Sequence, residues 1–305
     1  MSEKFRGYFY LSLAMILVGS TVIASKIIAA GLAPFTATAM RFAIAFPLFL
    51  VLMKFTGTSW PKLRAGDWLI LIAQAGAGSV GYTTLLIAGL GLTAATDAGV
   101  VIGTLPVVSA AIAILVLGER PDRRMLAAIA LAAVGVLAIV FKSGEGSAHS
   151  PLGIALIFGA VVCEGLFILL NKRVGAEISP LALSTLMSGF GFAVALIPAM
   201  FEAHATVEID KGAIIAVFYY ALVPTVAGFV LWYAGSARVS GTEASVFTAL
   251  APVSAVLFAF LLLGEPVGLH QLLGIGCVLG AVLGLTVPQI HSSRRAAGAL
   301  PAKEA

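Results

Sequence analysis

Two ionisable residues of this chain stand far inside long apolar runs. Glu164 lies in GIALIFGAVVCEGLFILL and Arg41 in PFTATAMRFAIAFPLFL. A carboxylate so placed can hold an amino group or carry a proton, and a guanidinium can hold an anion. Counted from the start of its run, Glu164 is about 12 residues in, ~18 Å along a helix, and Arg41 is about 7 residues in, ~10 Å. In hydrocarbon an ionisable residue is a functional candidate by default. Each has a plainer reading as well. Arg41 is near enough to one end to snorkel outward, and Glu164 could be a protonated carboxyl hydrogen-bonded within a bundle.

A third candidate is the stretch QAGAGSVGY, Gln74 to Tyr82. Gly76, Gly78 and Gly81 fit the spacing GxGxxG, but a dinucleotide site needs that motif between a strand and a helix. Here it interrupts an apolar run. A comparable interruption, PTVAG, begins at Pro224. Gln74, Ser79 and Tyr82 could face a polar cavity from one side, with Thr225, Trp232 and Tyr233 opposite them. Close helix packing by small residues and an interfacial aromatic belt for Trp232 and Tyr233 are the alternatives. No HExxH occurs, and no GxSxG, because Ala77 stands two residues before Ser79. The two cysteines, Cys163 and Cys277, have no CxxC spacing and read as packing residues. The expectation is therefore no catalytic residues, no metal, no cofactor and no enzyme.

The elements that must position these groups follow from composition. Of 305 residues, 60% are hydrophobic and 10% charged, where a soluble domain carries about 25% charged residues. The chain reads as an all-α membrane protein with a lipid bilayer as its solvent. The net charge of +4 is spread in short clusters between apolar runs, so nucleic acid is not an expected partner. Ten runs are long enough to span: Gly7–Ala29, Pro34–Phe55, Asp67–Leu90, Thr96–Leu117, Arg124–Phe141, Gly153–Val174, Leu181–Phe201, Gly212–Ala237, Thr242–Leu263 and Gly268–Val287. The basic, then apolar N-terminus has the look of a signal sequence, but the repeat described next favours a retained first helix. Fourteen lysines and arginines fall on the side of the N-terminus, the even-to-odd loops and the C-terminus. Only Lys26, Lys142 and Lys211 fall on the other. The positive-inside rule then places both termini in the cytoplasm.

A shift of 146 residues registers the two halves without a gap. Gly7 meets Gly153, Lys26 meets Lys172, Pro34 meets Pro180, and Gly89 meets Gly235. Gly78 and Ser79 meet Pro224 and Thr225, Pro106 meets Pro252, and Gly118-Glu119 meets Gly264-Glu265. From Thr96 to Glu119, ten of 24 positions are identical to their mates. Five spans per half is an odd number, so the second half must enter the membrane inverted. The expected organisation is residues 1–146 as a first five-helix repeat, 147–290 as a second, inverted one, and 291–305 as a polar cytoplasmic tail. Inverted repeats are the architecture of many secondary transporters. On this reading Pro106 and Pro252 are mid-span hinges, with Gly78 and Pro224 as further breaks. The Gly-Glu pairs are structural helix ends. Asp97 and Glu243 sit at helix starts, where capping explains them.

The segment Ala237 to Leu285 resembles the second repeat of the EamA family of the drug/metabolite transporter superfamily. The matching features are Thr242-Glu243-Ala244-Ser245, Pro252, Leu263-Gly264-Glu265, Gln271-Leu272 and the glycine-rich tenth run. Thr96-Asp97-Ala98, Pro106 and Leu117-Gly118-Glu119-Arg120 repeat the pattern in the first half. The resemblance covers nearly the whole chain. It implies ten transmembrane helices as two inverted five-helix repeats, a bacterial inner-membrane location and export of small-molecule metabolites by alternating access. Its amino-acid exporters, including those for aromatic amino acids, are the branch this chain is most similar to. Multidrug or other metabolite export or exchange is the alternative, and a channel or intramembrane enzyme fits less well. Substrate, driving force and oligomeric state stay open, and a monomer is compatible with the sequence.

Overall fold

The computed structural model describes residues 3–117, 123–140, 150–174, 178–202, 210–236, 238–239, 247 and 250–281. Among these every regular element is helical. In chain order they are α1 (Glu3–Ala29), α2 (Pro34–Thr56), α3 (Ala65–Gln74), the π-helical turn π1 (Ala75–Gly81), α4 (Tyr82–Leu92), α5 (Ala95–Ile102), α6 (Leu105–Leu117) and α7 (Arg123–Val140). The second half has α8 (Pro151–Arg173), α9 (Pro180–Glu202), α10 (Lys211–Tyr220), the π-helical turn π2 (Ala221–Ala227), α11 (Gly228–Ser236), α12 (Leu250–Leu263) and α13 (Leu269–Ala281). Among the described residues 6 helices are long and apolar enough to cross a membrane, counting α3-π1-α4 and α10-π2-α11 as one each. The pair α5 and α6, bent by 43°, would make 7, and α12 and α13 are shorter apolar helices.

The punctuation of the sequence sets the helix ends. Proline opens α2, α8 and α9 in the first turn, where no amide hydrogen is needed. Gly264 follows α12 with φ +65, a left-handed conformation that glycine adopts without strain. The two interior interruptions are π-helical turns, and Ala75–Gly81 and Ala221–Ala227 are themselves related by the 146-residue shift. At π2 the cause is Pro224. It has no amide hydrogen for the carbonyl of Tyr220, four residues back. The hydroxyl of Thr225 donates to that carbonyl instead, at 2.8 Å.

Pro106 lies in the first turn of α6, just after the 43° break that separates α5 from α6. The residue whose carbonyl it leaves without a helical donor, Ile102, is the last of α5. The chain breaks at Gly103-Thr104, and the Thr104 hydroxyl donates to Val101 O at 2.6 Å. Pro252 is the third residue of α12 as described, and of the residues from 240 to 249 only Phe247 is described, as helical. Gly118-Glu119, Thr242 to Ser245 and the tail from 291 lie outside the described residues.

Contacts between the halves are reciprocal under the same shift. Gly7 of α1 packs on Gly235 of α11, and their mates Gly153 of α8 and Gly89 of α4 pack on each other. Gly19 packs on Ala255, and its mate Gly165 on Ser109, the mate of Ala255. Exchanged contacts of this kind relate the halves by a two-fold rotation. The mates α2 and α9 pack together, and Glu202 at the C-terminal end of α9 accepts from the amides of Phe35 and Thr36 that open α2. They are therefore antiparallel, as inversion requires. Lipid gives no hydrophobic drive between helices, so close approach at small residues supplies the contact.

Polar groups close one end of the bundle. The Glu265 carboxylate accepts from Ala95 N at 2.9 Å and Thr96 N at 2.8 Å, capping α5. Lys26 donates to Leu90 O and Thr93 O at 2.8 and 2.6 Å, capping α4. Buried Gln271 donates to buried Asp97 at 2.9 Å, tying α13 to α5. At the opposite end Arg238 pairs with Glu3 at 3.0 Å, and Tyr8 stacks on Phe247. The larger core between them joins α1, α4, α5, α8, α12 and α13 through residues such as Val22, Leu86, Val101, Ile157, Ala255 and Val278.

Candidate substrate site

Arg41 does not snorkel. Its side chain turns inward from α2 and is only 8% exposed. The guanidinium lies over the ring of Phe42 at 4.4 Å and over that of Tyr220 at 4.3 Å. Tyr220 is placed there as the last residue of α10, directly before π2. One terminal nitrogen, Nη1, donates to the hydroxyl of Thr83 at 2.7 Å. Thr83 in turn donates to Ser79 O at 2.9 Å, one helical turn back across the end of π1. The guanidinium nitrogen nearest the chain, Nε, is buried and has no partner.

Glu164 projects from the middle of α8, and its side chain is partly exposed rather than sealed. It lies within reach of the charge of Arg41 and of the Tyr82 hydroxyl. It is not in direct ion-pair contact with Arg41, which would need 4.0 Å or less. Tyr82 opens α4 and faces Thr21 of α1, Tyr220 and Arg41. The result is a small polar centre with a fixed cation, a carboxylate and a phenol, set between α1, α2, α4, α8 and α10. Its chemistry is charge complementarity: it offers donors to an anion and an acceptor to an ammonium group. Among the described residues no group of three His, Cys, Asp or Glu side chains could hold a metal ion.

The structure thus gathers Arg41, Ser79 through its carbonyl, Tyr82 and Glu164. It does not gather all the candidates. Gln74 is fully buried, with both amide atoms unpartnered, beside the cluster that Ala75 forms with Leu183, Leu186 and Met187. The Thr225 hydroxyl is spent on the Tyr220 carbonyl. Trp232 packs with Ala14, Met15 and Ala251. The side chain of Tyr233 lies outside the described residues. Gly78 packs against Phe167 of α8, and Pro224 is buried within π2. A separate groove of about 350 Å³ between Leu50, Lys54, Thr58 and Trp60 opens at the end of α2, well away from this centre.

Sequence reasoning missed Tyr220, Thr83, Phe42 and Thr21. One signal was available. Tyr220 is the repeat mate of Gln74, so an interruption flanked by a polar residue in one half pointed to its counterpart in the other. The centre itself is asymmetric. The mates of Arg41, Glu164 and Thr83 are Met187, Val18 and Phe229, so the two-fold scaffold carries its charges on one side of the relation.

Comparison with known proteins gives this arrangement a family. The model of the EamA-like transporter family matches residues 5–141 and again 151–287. Transporter YetK of Bacillus subtilis, itself uncharacterised, is 33% identical over 288 residues, 92% of this chain and 87% of its own. A probable terminal-alkyne amino-acid exporter of Streptantibioticus cattleyicolor is 31% identical over 205 residues, 66% of this chain and 67% of its own. A probable amino-acid metabolite efflux pump of Salmonella typhimurium is 28% identical over 184 residues, 56% of this chain and 60% of its own. A crystal structure 19% identical in sequence shares the fold with a TM-score of 0.62, covering 95% of this chain and 98% of that one. These relatives are membrane transporters and not enzymes, and the chain belongs to the EamA-like transporter family.

Proposed function

We propose that this protein is a secondary-active exporter of small metabolites, amino acids first, working by alternating access. The observation that carries the reading is a buried cation and a carboxylate within reach of each other's charge but not paired. The names of two relatives, an amino-acid exporter and an amino-acid metabolite efflux pump, point the same way. Ten spans in two inverted halves, residues 1–146 and 147–290, would sit in a bacterial inner membrane with both termini and the 291–305 tail in the cytoplasm. The fourteen-to-three charge count supports that orientation. The π turns around Gly78 and Pro224, with the break before Pro106 and its repeat mate Pro252, are where the two halves would bend.

A multidrug exporter for organic cations would also use Glu164. The guanidinium of Arg41 beside it disfavours a bare cation and favours a substrate bearing both charges. Phosphate-linked exchange fits less well, because one cation faces a carboxylate here. The deciding experiment is flux of a panel of labelled amino acids through purified protein in liposomes. Saturable, substrate-selective flux with counterflow is the expected result. Non-saturable conduction or product formation would overturn the exporter reading.

A further inference from the structure

Resting on that reading, we infer that the Nε edge of Arg41 is a carboxylate subsite, and that the site takes α-amino acids by both of their charged groups. A guanidinium has two faces and three in-plane edges. The guanidinium carbon of Arg41 lies over the ring of Phe42 at 4.4 Å and over that of Tyr220 at 4.3 Å. Nη1 is occupied by the Thr83 hydroxyl at 2.7 Å. Nε, on the in-plane edge that it shares with a terminal nitrogen, is buried without a partner in a residue only 8% exposed.

A buried cation with an unmet donor is costly unless an acceptor completes it. The N–H of Nε points along the guanidinium plane, so an acceptor comes edge-on, and a planar one can engage the neighbouring terminal nitrogen as well. A carboxylate does this with two parallel N–H···O bonds. Glu164 is not that acceptor, since it is within range of the charge and yet not in contact. It is placed instead for the ammonium group that an α-amino acid carries two bonds from its carboxylate carbon. Glu164 also argues against a phosphate dianion on the same edge, because like charges at short range repel.

The test uses three probes that differ in which charged group they carry: L-phenylalanine with both, 3-phenylpropionate with the carboxylate and phenethylamine with the ammonium. Their binding to the purified protein in detergent is read by thermal shift, with inorganic phosphate as a further arm. Wild type is expected to bind 3-phenylpropionate but not phosphate. Arg41→Gln should lose 3-phenylpropionate and weaken L-phenylalanine by roughly 10- to 100-fold, the range of a hydrogen-bonded charge. Glu164→Gln should instead weaken L-phenylalanine and keep 3-phenylpropionate, and phenethylamine, a bare cation beside Arg41, should bind wild type more weakly than L-phenylalanine. Arg41→Lys, which keeps the charge and removes the fork, should lose at least about tenfold for 3-phenylpropionate. It replaces Arg41→Gln if that variant does not fold, as judged by size exclusion. Equal binding of 3-phenylpropionate to wild type and to the folded Arg41 variant would overturn the inference. So would its failure to bind wild type, or phosphate binding as tightly. If the carboxylate results hold while wild-type liposomes move no amino acid, the exporter reading falls and the subsite stands.

Discussion

Replacing Gly89 with alanine probes the two-fold relation between the halves more sharply than any charged residue does. A methyl group at Gly89 would sit 2.6 Å from Cγ1 of Ile157 and 2.8 Å from the carbonyl oxygen of Gly153. The second contact is backbone and cannot rotate away, so α4 and α8 must separate. Overpacking of this kind costs about 1–3 kcal/mol. Alanine recovers about 0.5–1 kcal/mol of helix propensity, leaving a net loss on the order of 1–2 kcal/mol. At roughly 2–4 °C per kcal/mol, thermal unfolding in detergent should fall by about 2–8 °C. The mate Gly235 faces Leu11, with Cγ at 2.7 Å and the backbone nitrogen at 3.0 Å, so Gly235→Ala should fall by a similar amount. Gly276 has nothing within 4 Å, so Gly276→Ala should leave the unfolding temperature unchanged or raise it. Tryptophan fluorescence during heating reads all three. A loss at Gly89 without one at Gly235, or no loss at either, would refute the reciprocal packing.

Three further outcomes are expected. Glu265→Gln replaces a carboxylate that accepts two amides by a group that can accept at only one oxygen. It should cost about 1.5–3 kcal/mol, checked by the same unfolding assay. Single cysteines at Lys62 and Arg123 should label from the cytoplasmic side with an impermeant reagent and one at Gly146 from the other side; uniform labelling would defeat the orientation. Pro106→Ala and Pro252→Ala should leave the protein folded but slow its interconversion, seen as slower counterflow at wild-type binding affinity, and wild-type rates in both would reduce the prolines to packing.

The fold was legible where the sequence punctuates itself. Apolar runs opened by Pro34 and Pro180, and the ungapped register of Gly7, Gly89 and Gly118 with their mates, needed no long-range contact to be read. The effect of Pro106 was displaced because the missing hydrogen bond acts four residues upstream, so the break falls at Gly103-Thr104 and not at the proline. Arg41 and Glu164 stood out as charges in hydrocarbon, but α2 and α8 are apolar on all sides, so no amphipathic stripe told which way either residue points. Tyr220 and Thr83 reach Arg41 from two other helices, at separations in sequence that no local pattern encodes. Trp232 shows the converse: an aromatic near a break reads alike in sequence whether it lines a cavity or packs between helices, and in the structure it packs on α1 and α12.

We propose that Glu164 receives the substrate's amino group or a proton, one at a time. Glu164→Gln preserves the shape and removes the charge. The direct measurement is efflux of labelled L-phenylalanine from liposomes containing wild type or Glu164→Gln, across a range of pH and substrate concentration. The account predicts saturable, pH-dependent flux for wild type, and for Glu164→Gln weaker binding or flux that no longer responds to pH. Unchanged affinity together with unchanged pH dependence in the variant would contradict it.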